Sequence, residues 1–74
     1  AAFASAGKVD INTADAATIA AALNGVGPAK AEAIVAYRTE HGPFKSIDQL
    51  VDVRGIGLAT VDKNRELIVL GGAK

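Results

Sequence analysis

Leu23-Asn24-Gly25-Val26-Gly27-Pro28-Ala29-Lys30 and Val53-Arg54-Gly55-Ile56-Gly57-Leu58-Ala59-Thr60 are one pattern written twice, thirty residues apart. The same offset lays Glu32 on Asp62. Each copy is an apolar residue, a variable residue, then Gly-apolar-Gly, set between two stretches with helical signals. Two helices joined by about four residues must turn sharply, and glycine takes a positive φ without steric cost. The apolar residue between the glycines, Val26 or Ile56, is expected to point inward and pin the turn to the core. A single Gly-x-Gly marks a turn and nothing more. Two copies in register point to a repeated unit with a shared use.

Working outward, Asn12-Thr13-Ala14-Asp15 reads as a helix start, with Asn12 as cap, Asp15 reaching back to it and Ile11 stapled onto Ala16. Ile19, Ala22 and Leu23 form one apolar stripe on a helix from about Ala14 to Ala22. Pro28 suits a first helical position, and the second helix runs to about His41, where Gly42-Pro43 stop it. Ala31, Ile34, Val35 and Arg38 share a face of that helix. Phe44 is expected to plug the core between the halves. Ser46, answered by Gln49, opens a short helix through Ile47, Leu50 and Val51. A last helix from about Leu58 carries Val61, Leu67 and Ile68. The expected fold is all-α, about five short helices in one domain over residues 9–70, with flexible tails at 1–8 and 71–74.

The chain has 74 residues, is 50% hydrophobic and 4% aromatic, and has no cysteine. That length holds one small domain and excludes a multidomain enzyme, and no disulfide can staple it. Eight basic residues balance eight acidic ones, which excludes a protein that grips nucleic acid with a broad basic surface. Placement matters more than the sum: Lys30, Lys45, Arg54 and Lys63 lie in or near the turns, whereas Asp10, Asp15, Glu32, Glu40 and Glu66 lie mostly elsewhere. No run approaches the ~18 apolar residues of a membrane span. At the start, Ala2-Phe3-Ala4 matches the small-x-small pattern left around a signal-peptidase cut, so export is expected; an ordinary disordered chain end has the same composition.

The second glycine of each turn stands at a helix start with no side chain in the way. Backbone N–H groups without intrahelical partners and the positive end of the helix dipole make an anion site there, suited to a phosphate oxygen. In the first turn the donors are Gly27, Ala29 and Lys30, with the Lys30 ammonium nearby. In the second they are Gly57, Leu58, Ala59 and Thr60, whose hydroxyl adds a donor, with Lys63 one turn on. A dinucleotide-binding G-x-G-x-x-G is excluded by Lys30 at the third glycine position and by a helix, not a strand, in front. His41 reads as a helix C-terminal cation with no triad partners. Asp48 and Asp52 read as solvated surface charge and not as a metal site.

Val9-Asp10-Ile11-Asn12-Thr13-Ala14, the first turn through Ala31, Ala33-Ile34-Val35-Ala36-Tyr37-Arg38, His41-Gly42-Pro43-Phe44-Lys45-Ser46 and Arg54-Gly55-Ile56-Gly57 together resemble the helix-hairpin-helix DNA-binding proteins, and within them the competence protein ComEA family of DNA-uptake proteins. The resemblance implies a tandem of two hairpins that binds double-stranded DNA without sequence preference, each holding backbone phosphates near the minor groove. It places the DNA contacts at Gly25, Val26, Gly27, Ala29, Lys30, Lys45 and Arg54, and at Gly55, Ile56, Gly57, Leu58, Ala59, Thr60 and Lys63. It implies no catalytic residue and no cofactor beyond a monovalent cation on hairpin carbonyls. DNA-uptake machinery is the implied protein partner, and the short Gram-negative relatives are exported to the periplasm. Asn24 stands where many relatives place proline, and Ala29 stands beside Lys30 in place of a second lysine. The competing reading is a protein-interaction or structural module of an exported assembly.

Overall fold

The computed structural model describes residues 8–71. The Ala2-Phe3-Ala4 pattern and residues 72–74 of the expected tail lie outside the described residues. Along the chain come β1 (Val9–Asp10), α1 (Ala16–Ala22), α2 (Pro28–His41), a 3₁₀ helix (Ile47–Asp52), α3 (Leu58–Asn64) running directly into a 3₁₀ turn (Arg65–Leu67), and β2 (Ile68–Val69). Among the described residues the fold is mostly helical, in four helical segments and not about five.

The expectation of an all-α domain needs a correction at the two ends. β1 and β2 pair in parallel, Val9 opposite Ile68 and Asp10 opposite Val69. Ile68, expected on the last helix, is therefore a strand residue, and its side chain is buried. Two-residue strands are too short to show a period-2 pattern, so hydrophobic periodicity cannot separate them from the end of a helix. Gly71 is held in the same clasp. Its N–H donates to Asp10 Oδ1 at 3.0 Å, and its carbonyl accepts from Asn12 Nδ2 at 3.0 Å.

Asn12 is not the cap of α1. Its amide bridges distant strands of chain: Nδ2 donates to the Phe44 and Gly71 carbonyls, and Oδ1 accepts from the Phe44 N–H at 2.7 Å. Asp15 caps α1 instead, its Oδ1 accepting from the Thr18 N–H at 2.9 Å. Helix α1 thus starts at Ala16, two residues later than expected. The second capping box also changes. Ser46 makes no side-chain cap bond, and Gln49 Oε1 accepts from the Lys45 N–H at 2.8 Å. The segment winds as a 3₁₀ helix, whose tighter turn departs from the geometry an α-helical box requires.

The core is continuous. Ile11, Ile19, Ile34 and Phe44 are completely buried, joined by Leu50, Val61 and the two turn residues Val26 and Ile56. Helix α2 starts at Pro28 and stops at His41 before Gly42, as read from the sequence. Its inner face buries Ala31 and Ile34, while Val35 and Arg38 are half-buried. Arg38 Nη1 donates to the Ile11 carbonyl at 2.8 Å. Phe44 fills the middle, with the Tyr37 ring stacked on it at 5.1 Å between centroids. Helix α1 packs against α2 and α3 against the 3₁₀ helix, so each turn is gripped by its own helix pair.

Candidate nucleic-acid interface

The two turns repeat each other in conformation as well as in sequence. Leu23 and Val53 are buried, then two exposed turn residues follow, then buried Val26 and Ile56, then an exposed glycine that opens α2 or α3. Gly25 has φ 78° and Gly55 has φ 89°. This left-handed region is where an L side chain is strained, so the fold itself requires these two glycines.

The second glycines are different. Gly27 (φ −85°, ψ −177°) and Gly57 (φ −102°, ψ 172°) are extended helix caps that any residue can adopt. A Cβ on either would meet no heavy atom within 4 Å. Neither conformation nor internal packing calls for glycine there; what the missing side chain leaves is open space in front of a helix start. Neither helix has a side-chain cap. Among the described residues, the N–H groups of Gly27, Ala29, Lys30, Gly57, Leu58, Ala59 and Thr60 make no hydrogen bond to the protein, and the first intrahelical bonds are Ala31 to Gly27 and Val61 to Gly57. Each turn therefore presents a set of outward donors with the positive end of the helix behind them.

The cations gather around these donors unevenly. Arg54 lies in the second turn itself. The Lys30 stem lies along Gly55, with Cγ 3.5 Å and Cε 3.6 Å from the position of a Cβ there. Lys63 Nζ lies 3.7 Å from the corresponding position on Gly25. Lys45 is set apart: it follows the C-terminal end of α2, whose 14 residues put about 20 Å between that end and the first turn. Among the described residues none of Lys30, Lys45, Arg54 and Lys63 forms an ion pair; the pairs present are Arg65 with Asp48 and Asp62, and His41 with Glu40. Asp62, the neighbour of Lys63, is held by Arg65 at 2.7 Å. The hydrogen bonds that Arg65 donates to Asp62 and Asp48 push its guanidinium pKa above the ordinary value. Such exposed pairs add little stability. They do fix where the negative charge sits, and they leave the lysines at the turns unmatched.

Asn64 is a residue the sequence reading missed. It is the one buried polar side chain among the described residues, 1% exposed. Its Oδ1 accepts from the Asn24 N–H at 2.7 Å, and its Nδ2 donates to the Asn24 and Thr60 carbonyls, each at 2.9 Å. Asn64 thus fastens the end of α3 to the first turn and sets the two hairpins against each other. The signal was present in the spacing, since Asn64 falls three residues after the core residue Val61, on the inner face of the helix.

A monovalent ion on the first turn does not suit these residues. The Lys63 ammonium already brings positive charge to Gly25, and a second cation beside it would be repelled. The described residues also hold no group of three or more His, Cys, Asp or Glu side chains able to bind a metal.

Comparison with known proteins agrees with this geometry. The family model for the helix-hairpin-helix motif matches residues 4–69. Over 62 residues, 84% of this chain, the sequence is 53% identical to an uncharacterized protein of Haemophilus influenzae, covering 55% of that protein. Over the same length it is 44% identical to ComE operon protein 1 of Bacillus subtilis, covering 30% of it. It is also 41% identical over 61 residues to endonuclease/exonuclease/phosphatase family domain-containing protein 1 of Rattus norvegicus, of which it covers 10%. The chain spans about half the length of the first of these relatives and less of the others. With two hairpins of matching conformation and a family match over nearly its whole length, the chain belongs to the helix-hairpin-helix family and is ComEA-like within it.

Proposed function

We propose that this chain is a non-catalytic binder of double-stranded DNA that holds backbone phosphates without reading sequence, and that it captures or retains incoming DNA during competence. The observation that carries the reading is the pair of second glycines. Gly27 and Gly57 have no internal reason to lack a side chain, yet each opens a set of unpaired N–H donors to the outside. Backbone donors at a helix start fit a phosphate oxygen and are indifferent to base identity. Gly25, Val26 and Gly27 with Ala29 and Lys30 form the first contact. Arg54, Gly55, Ile56 and Gly57 with Leu58, Ala59 and Thr60 form the second, the Lys63 ammonium is a further contact beside the turns, and Lys45 is an outlying phosphate contact.

The competence role rests on the likeness to ComE operon protein 1. Export to the periplasm and contact with DNA-uptake machinery belong to the same proposal. No helix among the described residues is long and apolar enough to cross a membrane. One feature favours a second reading, a protein-interaction module: Leu58 is 60% exposed at the mouth of the second turn, on a chain of zero net charge.

Fluorescence anisotropy with random-sequence duplex DNA at about 50 mM salt, where a few phosphate contacts are visible, tests the proposal. Micromolar binding is expected, within about twofold between unrelated sequences, since phosphate contacts carry no sequence information. Absence of binding, or equal binding by a Lys30→Glu, Lys63→Glu double variant, would falsify it. A protein partner that stays crosslinked after nuclease treatment would favour the second reading.

A further inference from the structure

The two lysines nearest the turns do not serve the turns they follow in sequence. Lys30 belongs to the helix opened by the first turn, yet its stem lies along Gly55 of the second, with Cγ, Cδ and Cε between 3.5 and 3.9 Å of a Cβ position there. Lys63 belongs to the helix opened by the second turn, yet its ammonium lies 3.7 Å from the Cβ position of Gly25 in the first. A separate contact supports this crossing. Asn64, the residue after Lys63, is hydrogen-bonded to the backbone of Asn24, the residue before Gly25. The α3 end is therefore held against the first turn by a buried amide, and Lys63 is carried there with it.

We infer that the two hairpins form one composite phosphate grip in which the charges are exchanged: Lys63 supplies the cation of the first turn and Lys30 that of the second. The inference rests on the DNA-binding reading and adds to it which lysine acts with which turn. Each turn supplies backbone donors, the second adds its own Arg54, and the lysine of each turn comes from the other half of the molecule. Neither hairpin is complete without its partner, which gives the sequence repeat a functional meaning beyond duplication of a turn.

Double-variant cycles in the full chain test the exchange. Gly27→Val closes the first turn and Gly57→Val the second; both positions have negative φ and open space at the Cβ, so these variants fold, as circular dichroism melts would check. Lys63→Gln is expected to weaken binding of random duplex about fivefold and to lower the salt slope by about 1, as loss of one phosphate contact does. The same change should persist in the Gly57→Val background and fall below about twofold in the Gly27→Val background, where its turn is already closed. Lys30→Gln should show the mirror image. The opposite pairing, with Lys63 coupled to Gly57 and Lys30 to Gly27, overturns the inference while leaving DNA binding intact. Full additivity in both backgrounds overturns it as well. A wild-type chain that binds no duplex is a different result, because it removes the DNA reading and the inference with it.

Discussion

Asn24 and Asn64 form a pair whose logic is that of any buried polar contact: safe while complete and costly when halved. Asn24→Pro is sterically permitted on the side of the preceding residue, since Leu23 is already extended at φ −98°, ψ 141°, the region a following proline demands. It removes the N–H that satisfies Asn64 Oδ1, leaving a buried acceptor without a partner, and should lower stability by about 1–3 kcal/mol in urea melts. Adding Asn64→Leu removes the orphaned acceptor, and the double variant should recover at least half of the loss. Simple additivity of the two changes would refute the coupling. The glycines allow a second test at this scale, because stability and binding should move in opposite directions. Gly27→Asp supplies the side-chain cap that α2 lacks, which is worth a few tenths of a kcal/mol over glycine. For a domain of this size that raises the melting temperature by about 1–3 °C. The same carboxylate stands where the phosphate would sit, and affinity for duplex should fall at least about tenfold. A variant that is stabilised and still binds as well as wild type would remove Gly27 from the interface. The repeat in the sequence made these glycines legible as turn residues, and the second of each pair as the open start of a helix; that only the first of each pair is held at a positive φ emerged with the backbone, because both read simply as Gly until φ is known.

At the scale of elements, periodicity was a good guide wherever a segment was long enough to have a period. Helix α2 begins and ends where Pro28 and Gly42-Pro43 put it. Shorter pieces were decided by tertiary partners. Asn12 has the composition of a cap, but Phe44 and Gly71 offer it three hydrogen bonds from far along the chain, and Asp15 takes over the cap. Local signals cannot rank a nearby cap against a distant bridge. The Asp15 cap makes a pH prediction. Accepting from the Thr18 N–H holds this carboxyl below its ordinary value of 3.8. A carboxyl with a lowered folded-state pKa stabilises the fold above its unfolded value, and that contribution disappears as pH falls through the folded value. Asp15→Asn keeps an acceptor oxygen at the cap without the titration. The wild-type advantage in melting temperature over Asp15→Asn should therefore be present near pH 7 and shrink as pH falls below the ordinary carboxyl value of 3.8. A difference that stays constant across that range would show that the cap acts through hydrogen bonding alone.

For the whole molecule, the sum of charges and their placement lead to different expectations, and salt separates them. A chain with eight basic and eight acidic residues has no long-range field to draw DNA in. Arg65 nevertheless holds two of the carboxylates, while Lys30, Arg54 and Lys63 around the turns have no ion-pair partner among the described residues. The composition revealed the first fact and the chain order hinted at the second. The pairing of Arg65 with Asp48 joins segments that no local rule connects, so it emerged only with the fold. A molecule with a Cα radius of gyration of 10.8 Å can touch only a short stretch of duplex. About four phosphate contacts give a slope near −3.6 in log K against log salt, so affinity should drop roughly 150-fold between about 50 and 200 mM. Replacing Arg65 by Gln tests whether its pairs matter to that field: releasing Asp62 and Asp48 restores negative charge beside Lys63, and binding should weaken although Arg65 itself touches no turn glycine. The loss should be largest at low salt and fade as screening shortens the reach of the freed carboxylates. An affinity that Arg65→Gln leaves unchanged at low salt would mean that the freed carboxylates do not reach the phosphates held at the turns.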